Sequence, residues 1–442
     1  MTAQGTRAER RRVALASFVG TSVEWYDFYL YGTASALILG PLFFPSASPA
    51  GGVLAAFATY AVGFLARPLG GAIAGHLGDR IGRKRVLVAS LVLMGLATSA
   101  IGLLPGYAAI GVAAPVLLTL LRLLQGLSAG IEWGGAVLLA VEHAPADRRG
   151  LFGALPQAGS AAGMILATSI YTAVHAVLGG AAFTAWGWRI PFLLSAVLVI
   201  VGLVVRLSVR DSAEFEELRA SGGVHRSPVR EVLRRHRRTV GLTILMRIGQ
   251  NSVYTLYTVF MLTYIVREVR SDGAPIGLVA TLVASIIGLA ATPLWGALSD
   301  RLGRRPVYLF GALVTAVFTA PAFVLIGTGS AALIVLAFVI GINIGHDSQY
   351  GAQGAFFAEL FPIDVRYSGA SIGYAVGAVL GGGLTPLVAA ALLTVGGGTP
   401  WLVAGFVSVL AVLSAVGVIL APETRPVRRA VPQDHVAAEA IA

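Results

Sequence analysis

The sequence predicts an all-α membrane protein of twelve transmembrane helices, arranged as two pseudo-symmetric six-helix bundles. Three observations carry that expectation. Hydrophobic residues fill 56% of the 442 positions and charged residues only 12%, with a mean hydropathy of +0.81, whereas soluble domains carry about 25% charged residues. A loop sentence, GHLGDRIGRKR at 75–85, returns as GALSDRLGRRP at 296–306, half a chain later and again between long apolar runs. The basic residues also sort to one side.

The formal charge of +11 would suggest nucleic acid in a soluble chain, but its distribution excludes that partner. The N-terminus, the first repeated loop, Arg148 and Arg149, the central linker, the second repeated loop, Arg366 and the tail hold 25 of the 32 Lys and Arg. The opposite loops hold Arg189, Arg267 and Arg270. The positive-inside rule therefore places both termini and the linker in the cytoplasm and the chain in the cell membrane, with lipid around it. The basic N-terminus followed by apolar residues 13–40 is too long for a cleaved signal and lacks a small-residue cleavage site, so it reads as a retained first helix.

A span needs about 20 apolar residues. Such stretches near 13–40, 51–75, 86–104, 111–142, 151–178 and 189–208 form the first bundle (13–208), after a cytoplasmic N-terminus (1–12). Those near 239–266, 275–298, 306–327, 331–358, 367–394 and 399–420 form the second (239–420). Between them, 209–238 carries eight Arg and five acids at amphipathic helical spacing, broken at Ser221-Gly222-Gly223; it is the linker. The tail (421–442) is polar and proline-punctuated, and reads as disordered after Pro422. Glu142 and Arg149 recur as Glu359 and Arg366 at a constant offset, a second mark of duplication. Clustered glycines such as Gly70-Gly71, Gly134-Gly135 and Gly381-Gly382-Gly383 suit close helix packing and sliding in a membrane.

Seven charged residues fall in the interior of predicted spans, away from their ends: Glu24, Asp27, Arg67, Arg122, Glu132, Arg247 and Asp347. At about 2.5–3.5 kcal/mol each in mid-bilayer, seven lipid-facing charges would cost about 17–25 kcal/mol, beyond the about 5–15 kcal/mol that stabilises a domain. They must face protein or water, either as a solute and proton pathway or as buried ion pairs. Glu24, Asp27 and Tyr31 share a face of the first helix. Burial favours the protonated form of a carboxyl and a neighbouring arginine opposes it, so an acid that exchanges an arginine partner with conformation becomes a proton switch. Asp27 is the first choice for that role and Glu24 the second, with Arg122 and Glu132 of the fourth helix as partners. Arg122 stays charged, as a carboxylate partner or an anion clamp.

Other polar stripes at helical spacing line a cavity. The seventh helix offers Arg247, Gln250, Asn251, Tyr254 and Thr258. The fifth offers Gln157, Ser160, Met164, Thr168, Tyr171 and His175, and the tenth offers Asn343, His346, Asp347, Tyr350 and Gln353. Candidate solute-binding residues are Arg67, Arg122, Tyr31, Gln157, Arg247, Asn251, Tyr254, Asn343, Asp347 and Gln353. The repeated loops supply candidate gating charges: Asp79, Arg80 and Arg83 in one copy, Asp300, Arg301 and Arg304 in the other, joined by Glu142, Arg149, Glu359 and Arg366. No phosphate-cradling loop, metal-spaced His cluster or hydrolase serine elbow is present. No cofactor, metal, catalytic set or ATP-driven pumping is expected, and without cysteine there is no thiol chemistry.

The repeated loops and the RLLQG segment holding Arg122 resemble signatures of the major facilitator superfamily. More narrowly, EWYDFYLYG (24–32), GFLARPLGG (63–71), the run at 101–126, GWRIPF (187–192), AELFPIDVRYSG (358–369) and PETR (422–425) resemble the metabolite:proton symporter family. The resemblance implies import of a small organic acid or zwitterion, such as shikimate, a dicarboxylate, citrate, oxoglutarate, proline or betaine, together with protons. It also implies that Asp27 and Arg122 are placed like the acid and arginine paired across the first and fourth helices, and that Arg67 and Glu132 occupy family positions. Ala129-Gly130-Ile131 and Tyr350-Gly351-Ala352-Gln353 depart from the family pattern near the cavity, while the VEHAP and SAEFEE stretches read nearest the shikimate-type branch. Three intramembrane arginines suit a carboxylate-bearing solute. The expected partners are that solute, protons and lipid, around a monomer working by alternating access. A proton-driven exporter of the same superfamily, or a transporter-like metabolite sensor, stands as the alternative.

Overall fold

The computed structural model describes residues 7–45, 49–73, 83–207, 228–270, 272–363 and 365–425. Twelve long helices follow one another: α1 (Arg7–Leu37), α2 (Gly51–Ile73), α3 (Arg85–Leu103), α4 (Ala113–Glu142), α5 (Arg149–Gly187), α6 (Arg189–Leu207), α7 (237–269), α8 (Ala274–Leu302), α9 (Arg304–Gly327), α10 (Ala331–Glu359), α11 (Arg366–Val395) and α12 (Trp401–Leu420). Among the described residues, nine of them are long and apolar enough to cross a bilayer by length and composition alone. Of the other three, α7 carries the polar stripe.

The two halves meet along two seams, where α5 packs on α8 and α10, and α2 and α4 pack on α11. Three helices of the second half are locally widened into π segments, over Leu256–Phe260 in α7, Ile340–His346 in α10 and Val379–Gly383 in α11. Such bulges interrupt the regular ladder and often mark working sites. Within the first half, α4 lies close enough to α2 that a Cβ at Gly126 would collide with the Gly63 carbonyl, and one at Gly130 with that of Arg67. Small residues permit the approach that pins Arg67 in place.

At the basic end, α8 passes into α9 through Gly303, whose φ of +111° suits glycine. The described part of the linker forms a short helix, Pro228–Arg235, which buries Val232 against the second half and pairs Glu231 with Arg235 at 2.8 Å. The Ser221-Gly222-Gly223 break lies outside the described residues. The tail does not read as expected at its start, because Glu423 is tied to α9 by backbone hydrogen bonds.

Candidate functional site

All seven intramembrane charges are buried, none more than 3% exposed. Two constellations result, one in each half, with aromatic residues between them. In the first half, Asp27 receives a hydrogen bond from Ser195 of α6 at 2.5 Å on one carboxylate oxygen, while its Oδ2 has no partner. The family resemblance suggested contact with Arg122, but the two are joined only indirectly. Arg122 donates to Gln125 at 2.8 Å, Gln125 donates to Thr98 at 2.5 Å, and Thr98 faces Asp27. The buried Glu132 adds a like charge near Asp27.

Arg122 instead lies over the rings of Tyr31, at 3.9 Å, and Phe28, at 4.6 Å. The Tyr31 hydroxyl bonds to Thr59 at 2.6 Å, so Tyr31 and Asp27, one turn apart on α1, reach different neighbours, α2 and α6. Arg67 sits over Phe28 and Phe64 at 4.1 and 4.4 Å, with Glu24 as its opposing charge.

In the second half, Arg247 donates to Gln250 and to Gln353 at 2.8 Å, and its guanidinium lies 3.8 Å from the Tyr374 ring. Gln353 in turn donates to the Tyr308 hydroxyl at 3.0 Å. Asp347 is held by His346 and Asn343, each at 2.8 Å, and Asn251 reaches the Ala378 carbonyl at 3.4 Å. Between the halves, Trp133 stacks on Tyr374 at 3.6 Å and Tyr29 meets Tyr254 at 5.5 Å. Gln157 accepts from Trp133 at 3.1 Å and donates to the Tyr350 carbonyl at 3.4 Å.

Buried N–H groups are normally satisfied. Here the Nε and Nη2 of both Arg67 and Arg247, and the Nε of Arg122, have no acceptor. Such donors are suited to planar anions, above all carboxylates.

The basic end carries a second network. Asp300 accepts from the backbone N–H groups of Gly150 and Leu151 across the seam, at 2.7 and 2.9 Å. These are orphan donors of the first turn of α5, where a helix favours a negative charge. Arg304 bridges Asp300 at 2.7 Å and Glu359 at 3.2 Å, and Thr424 donates to Glu359 at 2.7 Å. Arg301 is exposed, Arg366 donates to the Phe361 carbonyl, and the Nε of Arg149 finds no acceptor. Glu142 has a polar or electrostatic contact of its own. Asp79 and Arg80 lie outside the described residues, as does the side chain of Arg83.

The shikimate transporter of Escherichia coli is 41% identical to this chain over 419 residues, covering 94% of the chain and 95% of that protein. The chain belongs to the major facilitator superfamily. The superfamily's own model matches residues 247–440, and the model described as sugar (and other) transporter matches 13–220. The proline/betaine transporter of Salmonella typhimurium is 34% identical, covering 96% of this chain and 86% of that one. Among solved structures, the proton:xylose symporter XylE superposes with a TM-score of 0.75 at 18% identity, over 95% of this chain and 97% of the other. That likeness concerns the fold.

As a major facilitator transporter the chain has residues at its centre that sequence reasoning passed over. Ser195 and Thr98 give no signal, because single hydroxyl residues in apolar spans are usually interhelical glue. Tyr374 was equally silent, although its neighbour Trp133 stands inside the conspicuous EWGG.

Proposed function

We propose that this transporter is a symporter in the cell membrane, with cytoplasmic termini, which imports a small carboxylate-bearing metabolite together with protons by alternating access. The observation that carries the reading is Asp27, an acid sealed inside one bundle with one oxygen bonded to Ser195 and the other without a partner. The proton resides on Oδ2, and the Thr98–Gln125 link to Arg122 reports its presence to the seam. The solute's carboxylate engages Arg247 and Arg67, the two guanidiniums flanking Tyr374, with Gln157, Asn251, Tyr254, Asn343, Asp347 and Gln353 shaping the rest. Binding closes the outer end, and relaxation of the Asp300 latch opens the cytoplasmic one. Relatives named for shikimate and proline/betaine support a small solute bearing a carboxylate.

Asp27→Asn tests the proposal in proteoliposomes. Accumulation driven by a pH gradient should be lost while counterflow exchange persists, since exchange needs no net proton movement. Undiminished uphill uptake would remove Asp27 from coupling, and net efflux from cells would reverse the direction. A thermal-shift screen against shikimate, small carboxylates and betaines identifies the solute, because a ligand of the folded state raises its apparent stability.

A further inference from the structure

At the end of the seam opposite the basic loops, a cleft of about 450 Å³ opens between α1 and α2 on one side and α7 on the other. Ser35, Ile38, Phe44 and Val53 line one wall, Val266 and Arg267 the other. We propose that this cleft binds a small amphipathic monocarboxylate, separately from the central site, and that its occupant wedges α1 against α7.

The argument begins with charge. Three basic residues serve this end of the molecule, and two are already engaged. Arg270 chelates Asp272 at 2.7 and 2.8 Å, and Arg189 donates to the Leu104 and Ala185 carbonyls at 3.2 and 3.4 Å. Arg267 is exposed at the cleft and makes no hydrogen bond or ion pair among the described residues. The carboxylate of the adjacent Glu268 lies beside Gly398, in the turn before α12. Arg267 therefore brings to the cleft a charge that no ion pair among the described residues neutralises.

Shape and polarity narrow the ligand further. The volume falls in the range of small-molecule sites, about 300–1,000 Å³, which are typically apolar with a few placed polar groups. The walls supply the apolar part. Deeper in, the Ser35 hydroxyl is buried, at 1% exposure, and faces the Tyr31 hydroxyl. A second charge on the ligand would be desolvated against Ile38, Phe44 and Val53 without compensation. One carboxylate on a compact hydrophobic body, carrying at most one hydroxyl, fits these constraints. The cleft joins both halves, with Thr263 of α7 donating to the Ala36 carbonyl beside it at 3.4 Å. A bound molecule therefore touches both elements that must part during the cycle.

The probe is 1-naphthoate, titrated calorimetrically into the purified full chain, with neutral 1-naphthamide as control. Saturable binding is expected, with naphthamide about tenfold weaker or more, the scale of one charge-assisted contact. Arg267→Gln should weaken naphthoate about tenfold and leave naphthamide unchanged, Arg267→Lys should retain most of the affinity, and Val53→Trp should abolish both by filling the cleft. Non-saturable uptake overturns the site, as does equal affinity for acid and amide, or an affinity that ignores both Arg267→Gln and Val53→Trp. Because the readout is binding alone, it stands apart from proton coupling and transport direction.

Discussion

Replacing Asp300 by Asn probes the contact that fastens the two bundles at the basic end. Its carboxylate accepts two backbone N–H groups from the start of α5 and one from Arg304. A hydrogen bond to a charged group contributes about 1.5–3 kcal/mol. Asparagine keeps one weaker carbonyl acceptor and turns an N–H toward another N–H, so the loss across the seam comes to about 2–3 kcal/mol. Arg304 still has Glu359, so no charge is left bare to add to that cost. The equilibrium between closed and open basic ends should move toward open by about 30–150-fold. With no native cysteine, spin labels at Asp147→Cys and Ile363→Cys, both exposed at that end and in opposite halves, report the separation without background. A long-distance population should appear or grow in the Asp300→Asn protein. Distance distributions that superpose with and without Asp300→Asn would refute the latch.

Three more outcomes follow from the geometry. Arg247→Ala should weaken solute binding about tenfold or more while membrane insertion is intact; unchanged affinity by thermal shift would place the carboxylate elsewhere. Gly126→Ala drives a methyl group into the Gly63 carbonyl and should destabilise the first half by about 1–3 kcal/mol, read as a lower melting temperature and a looser α2–α4 contact. Glu423 is partly buried, which raises its proton affinity, but backbone N–H groups of Arg425, Arg304, Arg305 and Thr424 together hold it below the usual 4.5. A depressed carboxylate stabilises the fold above its ordinary value and loses that contribution as pH falls through the folded one. The melting-temperature gap between the parent and Glu423→Gln should therefore be constant near neutral pH and close on acidification; a gap that widens in acid contradicts the assignment.

The fold was legible because bilayer solvation punishes exposed charge so strongly. Hydropathy runs, the duplicated Asp-Arg loops and the one-sided arginines each reflect that single constraint, and the buried state of all seven intramembrane charges follows from it. Partnership was less legible. Helical spacing placed Asp27 and Tyr31 on one face, but a face of α1 spans several neighbours, and the two side chains diverge to α6 and α2. Spacing within α4 did set Arg122 three residues from Gln125, and that local bond exists. The onward step to Thr98 on α3 depends on helix packing that no local pattern encodes. The Glu423 clamp was similarly hidden, because a polar, proline-rich tail has the composition of disorder even where two of its first residues are held.

The bond between Glu423 and the first amides of α9 joins positions 119 and 118 residues apart. During synthesis the opening turn of α9 must therefore wait for most of the second bundle to be translated before its cap arrives. Maturation of this half therefore waits until residue 423 has been made. Chains ended after Ala421 should remain protease-sensitive around residue 304 where chains ended after Arg425 do not, and equal resistance of the two would show that α9 settles without its distant cap.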